Sequence, residues 1–416
     1  MSDEIHVVTS SQTPSAIADG LSVDRLRTII QDSHLNFLIG AGTSSPYFES
    51  LGNIEKALTE IGQSNGKASE KSFARTSLQG YFFEKVLAPN FGILRQDAAA
   101  KGLIKSYAKF AMILNRILLN RRSTLLGKQA NIFTSNVDMA FEVSFELLEI
   151  DVNDGFAGKI NPRLDLGEFN TLRFRQGIRY EYRSEIPVVN LFKIHGSTGW
   201  RSEGEEIYYD HQLRQLADVN TAYEAAKSDL HPLNGSDDID SAGLILAASG
   251  KTLTAGGKKF AKAYRELSIV NPDKEKFATT VLNETYYELI RRFANELEKE
   301  NTALLVHGFS FRDEHLCDLV VRAARTNPTL QVIVFCYTRA DRDDISTLIP
   351  EEQIKNGNIL FVAPNEPKDG GDERKLSLDV LVEDFLAPIL AEHAAVADHV
   401  IELKLDGVPG SGSNAG

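Results

Sequence analysis

Short apolar runs alternate with amphipathic stretches along this chain, most regularly in its last third. The runs at 188–194 and 303–306 have no polar face, as expected for parallel strands that helices cover on both sides. Similar runs occupy 36–39, 130–137, 267–270, 332–335 and 359–362. Between them, apolar residues recur at three- and four-residue spacing, which predicts helices. The pattern therefore predicts an α/β protein with a Rossmann-like parallel sheet and helices on both of its faces.

Longer segments interrupt this alternation. Residues from about 50 to 127 have the apolar spacing of helices, so we predict a helical insertion there. A polar loop is predicted within it at 62–72. Segments of about 151–187 and 200–265 are polar and contain many turn-forming residues, so we expect smaller mixed insertions there. The main domain then spans 31–365. Around it we predict an N-terminal tail and helix (1–30), a C-terminal helical segment (366–406) and a flexible tail (407–416).

Composition narrows the possible functions. The 416 residues carry a net charge of -13, so we expect no direct binding of nucleic acid, whose phosphates attract basic proteins. Cys317 and Cys336 are the two cysteines, too few for a disulfide framework or a four-cysteine zinc site, and no other metal site is expected. No apolar run approaches the ~18 residues of a membrane span. The polar N-terminus lacks a signal peptide, so we expect a cytoplasmic protein without membrane contact.

Polar or glycine-containing motifs follow four of the predicted strands. They are Gly40-Ala41-Gly42-Thr43-Ser44, residues 134–138 (Thr-Ser-Asn-Val-Asp), residues 193–197 (Lys-Ile-His-Gly-Ser) and residues 308–311 (Gly-Phe-Ser-Phe). In an open parallel sheet, ligands bind beyond the carboxyl ends of the strands. A strand that ends in Gly-x-Gly is typical of a phosphate-binding turn, although many such turns serve only to reverse the chain. Four motifs at one edge predict a ligand site there.

Three side chains in these motifs are candidates for catalysis. His195 lies at the end of a buried strand, and its ordinary pKa of about 6.5 suits a general base at neutral pH. Asn136 has an amide that can orient water or a hydroxyl group. Asp138 can serve the site or simply cap the helix that follows it, and Asp313 offers the same cap to a later helix.

The motifs at 40–44, 134–138 and 195–196, in this order on strand ends, resemble the three signatures of the sirtuin family. Residues 268–272 (Ser-Ile-Val-Asn-Pro) and 308–315 (Gly-Phe-Ser-Phe-Arg-Asp-Glu-His) resemble the sirtuin-like branch of prokaryotic antiphage defence systems. The resemblance covers roughly residues 30–365 with gaps at the insertions.

The resemblance implies an NAD site. Its pyrophosphate would contact Gly40, Ala41, Gly42, Thr43 and Ser44, and Gly196 and Gly308 would belong to the same cofactor-binding turns. Ser310 would lie near the adenosine ribose or phosphate, and Tyr337 and Thr338 near adenine. Asn136 and Asp138 would border the nicotinamide ribose. His195 would be the general base for a ribose hydroxyl or a water molecule.

Departures from the family pattern bear on the activity. Sirtuin deacylases usually carry a four-cysteine zinc module and a Gly-Ile-Pro-Asp-Phe-Arg type of loop, whereas residues 45–50 here are Ser-Pro-Tyr-Phe-Glu-Ser. Without an acyl-peptide acceptor, water is the remaining nucleophile. We therefore predict an NAD hydrolase that releases nicotinamide and ADP-ribose in antiphage defence, with no zinc. An NAD-dependent protein deacylase and a non-catalytic NAD or ADP-ribose-binding scaffold are the alternatives.

Such an enzyme would drain cellular NAD, so its activity must be controlled. The sequence shows no sensor domain, which favours control by assembly or by a partner. By analogy the chain is most like the form that pairs with a HerA-type hexameric ATPase. Homo-oligomers are also expected, and the helices predicted at 104–119 and 377–395 are candidate self-association surfaces unless they pack within the core.

Overall fold

The computed structural model describes residues 3–5, 21–49, 54–121, 125–178, 182–233, 239–270, 280–349, 354–366, 373–393 and 401–403. The strands are β1 (Asp3–Ile5), β2 (His34–Ile39), β3 (Gln129–Thr134), β4 (Val152–Asn153), β5 (Phe156–Ala157), β6 (Arg163–Leu164), β7 (Phe174–Gln176), β8 (Arg183–Glu185), β9 (Val188–Lys193), β10 (Trp200–Glu203), β11 (Glu206–Tyr209), β12 (Thr302–His307), β13 (Gln331–Phe335), β14 (Ile359–Val362) and β15 (Ile401–Leu403).

The α-helices are α1 (Val23–Asp32), α2 (Ile54–Gln63), α3 (Ala68–Phe82), α4 (Asn90–Arg95), α5 (Lys101–Leu119), α6 (Ala140–Leu147), α7 (Arg214–Ala226), α8 (Ser241–Ala247), α9 (Ala255–Arg265), α10 (Thr280–Glu298), α11 (Glu314–Thr326), α12 (Arg339–Leu348) and α13 (Leu378–Val380). π-Helical turns follow α3 at Phe83–Leu87 and α13 at Leu381–Leu386. 3₁₀ turns lie at Ala41–Ser44, Leu166–Asn170, Lys227–Asp229 and Ala387–His393.

A seven-stranded parallel sheet forms the centre of the fold, with strand order β14-β13-β12-β2-β3-β9-β4. The chain moves outward from β2 through β3 to β9, then returns to the other side of β2 and continues through β12, β13 and β14. Apart from the edge strand β4, this is the strand order of a dinucleotide-binding Rossmann sheet. The order reverses between β2 and β12, which places the topological switch point there. The predicted α/β class and parallel sheet are confirmed.

Alternate residues of each central strand contribute to hydrophobic clusters on opposite faces of the sheet. Phe37 and Ile39 of β2 pack with α1, α5 and α6, whereas Leu38 packs on the other face with α10 and α11. Burial on both faces explains why these strands are continuous apolar runs in the sequence. Helices α2, α3 and α8 enclose a third, smaller core.

A ladder of asparagine amides crosses the sheet within these apolar strands. Asn36, Asn131, Asn190 and Asn153 lie at matching positions of β2, β3, β9 and β4, and their side-chain amides bond in sequence at 2.8, 2.9 and 3.1 Å. In a sheet that is apolar on both faces, the hydrophobic pattern alone specifies the strand register weakly. The ladder specifies it, because a shift would leave buried amides unpaired.

Two sequence predictions of secondary structure are wrong. Residues 267–270 form no strand, and Ile269 makes only an isolated antiparallel bridge with Gly196. The segment lies across the end of β9, where it packs on the turn at Gly196 instead of joining the sheet. The polar loop predicted at 62–72 is shorter than expected, because α3 already begins at Ala68. The Glu70 carboxylate accepts the backbone N–H of Lys67 and so caps the N-terminus of this helix.

The helices predicted at 104–119 and 377–395 pack largely within the core, which was the alternative to self-association. Most of α5 is buried between α6 and the C-terminal helical turns. Lys109 of α5 forms ion pairs of 3.0 Å with Asp379 and 2.7 Å with Glu383. The predicted helix at 377–395 exists as a run of α-, π- and 3₁₀-helical turns to His393, and it packs against α5. These two segments therefore bury each other.

Some predicted features lie outside the described residues, namely the tail at 407–416, most of the N-terminal tail, and the Asn271-Pro272 end of one motif. Among the described residues, no helix combines the length and apolar character needed to cross a bilayer. Both cysteines are buried free thiols.

Candidate functional site

The turns that follow β2 and β12 touch each other at the topological switch point. The Gly40 amide donates to the His307 carbonyl at 3.0 Å, and the Gly42 amide donates to the Gly308 carbonyl at 2.9 Å. A Cβ on Gly40 would lie 2.6 Å from the Phe309 Cα. These glycines are therefore required for backbone to pack against backbone, a reason that the sequence did not reveal.

Only part of the turn at residues 40–44 that follows β2, here called the glycine turn, is exposed. Ala41 and Gly42 face solvent, whereas Thr43 and Ser44 are buried and their hydroxyls bind within the protein. Of the five residues predicted to contact the pyrophosphate, Ala41 and Gly42 are therefore the two whose surface is exposed. Ala41 and Gly42 lie at the switch point, the position at which open parallel sheets bind dinucleotides.

His307 connects the glycine turn to the C-terminal segment. Its Nε2 lies 3.2 Å from the Leu376 carbonyl, which can only accept, so this nitrogen carries the proton. Its Nδ1 then accepts from the Thr43 hydroxyl at 2.8 Å. Complete burial lowers the pKa of His307 to about 4, so the ring is neutral at physiological pH. His307 therefore has a structural role in joining these two segments.

His307 should make the protein sensitive to acid. Its folded pKa of about 4 lies below the ordinary value of 6.5, so the unfolded chain binds more protons between these pH values. We expect the wild type to lose up to about 3 kcal/mol of unfolding free energy relative to His307→Gln as the pH falls from 6.5 to 4. Chemical denaturation across this pH range measures it. A constant difference between the two proteins would contradict the assignment.

Ser44 is the centre of a buried polar network that connects three elements. Its Oγ lies 2.6 Å from the Tyr107 hydroxyl of α5 and donates to the Asp138 carboxylate at 3.2 Å. The Asn136 amide donates to the same Oγ at 3.4 Å. Burial, with the negative charge of Asp138, raises the pKa of Tyr107 well above 10, so this phenol remains a neutral donor. The network fixes the end of β3 against the glycine turn.

Asp138 and Asn136 differ in how fully their polar atoms are used. Asp138 accepts from the Ala140 amide at the start of α6 at 3.0 Å and from Ser44, so both its oxygens have partners. The Asn136 Oδ1 is buried without a hydrogen-bond partner in the described structure. A buried acceptor without a donor is costly, which makes this oxygen a candidate for binding a ligand N–H or O–H group.

His195 pairs with Asp313, which comes from the far side of the switch point. The distance between His195 Nε2 and Asp313 Oδ2 is 3.1 Å, and both side chains are about one-fifth exposed. His195 follows β9 and Asp313 follows β12, with β2 and β3 between them, so the pair spans roughly three strand spacings of ~4.8 Å. The contact therefore crosses the carboxyl ends of the two strands that carry the other candidate residues.

Asp313 is a further candidate site residue, which the sequence assigned only to a helix cap. Its Oδ1 does accept the Leu316 amide at the N-terminus of α11, at 3.2 Å, which confirms the predicted cap. The other oxygen orients His195. No sequence spacing signals this second role, because the two residues are 118 positions apart.

The remaining predicted residues are distributed around this edge. Gly196 has a φ of +77° and packs on the 268–269 backbone, so its conformation requires glycine. Ser310 is exposed beside the Gly308 turn. Tyr337 lies beyond β13 with the Lys375 ammonium 5.4 Å from its ring centre. Thr338 caps α12 through the Asp341 amide at 3.1 Å, so its hydroxyl already has a structural role.

Among the described residues, no cluster of three or more His, Cys, Asp or Glu side chains is arranged to hold a metal ion. No protein-family model matches the chain, and a search of the curated proteins finds no relative of it.

Proposed function

We propose that this chain binds NAD at the switch point between β2 and β12 and hydrolyses it to nicotinamide and ADP-ribose. The observation that carries the proposal is the contact of the Gly40 and Gly308 turns at the reversal of a Rossmann-type strand order, with the His195–Asp313 pair across the adjoining strand ends. Dinucleotides bind at this position in open parallel sheets. The sirtuin-like order of the motifs supplies the choice of NAD.

The residues present suit cleavage of a nicotinamide glycosidic bond. The leaving pyridinium is already positively charged, so no acid has to protonate it. The transition state resembles an oxocarbenium ion and needs an oriented nucleophile with charge stabilisation. His195 can take a proton from water or a ribose hydroxyl, because its Nε2 is held by Asp313 and no described residue forms a hydrogen bond with Nδ1. The Asn136 Oδ1 can accept the hydrogen bond that orients that group.

Control of the activity belongs to the same proposal. A free NAD hydrolase would harm its own cell, so we infer that assembly or a partner restrains it until infection. The sirtuin-like resemblance favours a HerA-type hexameric ATPase as that partner and a homo-oligomeric hydrolase. Because α5 and the C-terminal turns pack against each other, only their outward-facing residues remain for an assembly contact.

Nicotinamide release from NAD is the direct test, with Asn136→Ala as the first variant. We expect the purified chain, alone or with the ATPase, to release nicotinamide, and the variant to be at least about tenfold slower, since it loses the orienting acceptor. Asn153→Ala is the matched control, because it removes a similarly buried amide from the edge strand β4 rather than from the loop beyond the strand ends. Chromatography of nicotinamide gives rates, and thermal unfolding shows that both variants are folded.

Other outcomes separate the alternatives. Release that requires an acetyl-lysine peptide would identify a deacylase. Binding of ADP-ribose without release, both alone and in the complete complex, would identify a scaffold. Equal rates for the wild type and Asn136→Ala would mean that the site assignment is wrong.

A further inference from the structure

A buried lysine lies directly beneath the loop that presents Asn136. Lys193 is the last residue of β9, and its side chain is 2% exposed. Its ammonium group reaches the Asn136 carbonyl at 3.5 Å, the Asp138 carbonyl, and the Glu142 carboxylate at 3.2 Å. An ammonium has three N–H donors, so each of them has an acceptor here.

These contacts are part of a larger set that holds the loop. The carbonyl between the two that Lys193 binds belongs to Val137, and it accepts from the backbone amide of Thr198 at 2.9 Å and from its hydroxyl at 3.1 Å. Three successive carbonyls of the loop are therefore held by residues that come from β9 and its following turn. A leucine or methionine in place of Lys193 would make none of the hydrogen bonds that its ammonium group makes.

Stability alone does not account for this buried pair. Removing two charges from water costs free energy that their attraction only partly returns, and well-packed apolar residues often replace buried ion pairs without loss. Glu142 also keeps one carboxylate oxygen, Oε2, buried without a partner. We therefore infer that the pair serves to position the loop at residues 136–138 rather than to stabilise the fold.

We propose that Lys193 and Glu142 are positioning residues, in which Glu142 holds the Lys193 ammonium and the ammonium fixes the backbone of residues 136–138 for ligand binding. The inference rests on the proposed function, because it assigns NAD or ADP-ribose as the ligand that the fixed loop receives. We call Lys193, Glu142 and the carbonyls that Lys193 binds the clamp, and its geometry does not depend on that assignment.

The clamp is sensitive to pH near neutrality. Burial raises the pKa of Glu142 to about 7, against the opposing attraction of Lys193. The other groups that face Glu142 are Asp138 from the loop, Tyr107 from α5 and Tyr209 from β11. Burial raises the pKa of both tyrosines well above 10, so they stay neutral while Glu142 titrates. Protonation of Glu142 below pH 7 would release the ammonium from its carboxylate partner.

The test uses the full-length chain with Lys193→Met and Glu142→Gln, and Lys109→Met as control. Lys109 is also a mostly buried lysine that binds two carboxylates, but it lies between α5 and the C-terminal turns. Calorimetric titration with ADP-ribose should show at least tenfold weaker binding for Lys193→Met and unchanged binding for Lys109→Met. Amide hydrogen exchange of residues 135–140 should be faster in Lys193→Met and unchanged in Lys109→Met.

Glu142→Gln provides the measurement that a purely structural role would not change. At pH 8 the wild type should bind ADP-ribose more tightly than Glu142→Gln, and the two affinities should converge as the pH falls to 6. A difference that stays constant with pH would overturn the role of Glu142. Unchanged exchange and affinity in a folded Lys193→Met would overturn the clamp. If exchange accelerates as expected but the wild type binds neither ADP-ribose nor NAD, the clamp stands and the proposed function fails.

Discussion

Asp313→Asn is expected to lower nicotinamide release about as severely as His195→Ala, by a hundredfold or more. The Asp313 carboxylate can only accept a hydrogen bond, so it holds the proton on Nε2 of His195 and leaves Nδ1 unprotonated, as the proposed role of a base requires. An asparagine amide can donate to Nε2 and favour the opposite tautomer. The helix is preserved, because an asparagine oxygen still caps α11 by accepting the Leu316 amide.

Asp240→Asn is the matched control, since Asp240 caps α8 by accepting from the Gly243 amide at 2.7 Å and lies on another helix. Steady-state kinetics should assign the loss in Asp313→Asn to kcat rather than to KM, because the proposed base, His195, would act in the chemical step. Long-range ¹H–¹⁵N correlation spectra of the imidazole report which nitrogen is protonated. Wild-type kinetics in Asp313→Asn, or an unchanged tautomer, would reduce Asp313 to a helix cap.

The sequence could predict the sheet because its strands are buried on both faces. β2, β9 and β12 lack polar alternation, and each is followed by a motif that a regular strand would not need. These signals are local, since burial and turn formation depend on neighbouring residues. The convergence of the four motifs also follows from the parallel topology, in which all the strands end at one edge.

Long-range pairs between polar residues left no such signal. Lys193 interrupts an apolar strand, and nothing in its surroundings in the sequence indicates that Glu142 and the 136–138 carbonyls will receive it. The role of Asp313 and the asparagine ladder were missed for the same reason. Residues 267–270 are apolar enough for a strand but lie across the end of β9 instead, because the sheet positions beside β12 are already filled by β2 and β13. Tertiary placement overrides local propensity here.

The glycine turns show how the structure changes the meaning of a motif. Gly40-Ala41-Gly42 predicts a phosphate-binding turn, yet the Gly40 Cα faces the backbone of residues 308–309 rather than open space. The two turns are therefore one unit, and His307 connects it through Leu376 to the C-terminal segment. A change in either turn should affect the other, which makes the junction a sensitive place to test the site.

Gly308→Ala is expected to be among the most damaging small substitutions in this protein. Gly308 has a φ of +64°, and a Cβ there would lie 2.8 Å from the Gly42 carbonyl carbon and closer still to the Thr43 amide nitrogen. The left-handed conformation costs a non-glycine residue about 1 kcal/mol, and the forced separation of two packed backbones adds about 1–3 kcal/mol. Because the glycine turn of β2 must move away, ADP-ribose binding should weaken together with stability.

Gly204→Ala separates these two effects. Gly204 has nearly the same φ, +63°, in the turn between β10 and β11, but a Cβ there would meet no atom within 4 Å. Its substitution should cost only the conformational part, about 1 kcal/mol, and leave ligand affinity unchanged. Urea unfolding and ADP-ribose titration of both variants measure the difference. If Gly308→Ala matches Gly204→Ala in stability and affinity, the two turns do not depend on close contact. That result would contradict the proposal that their contact forms the ligand site at the switch point.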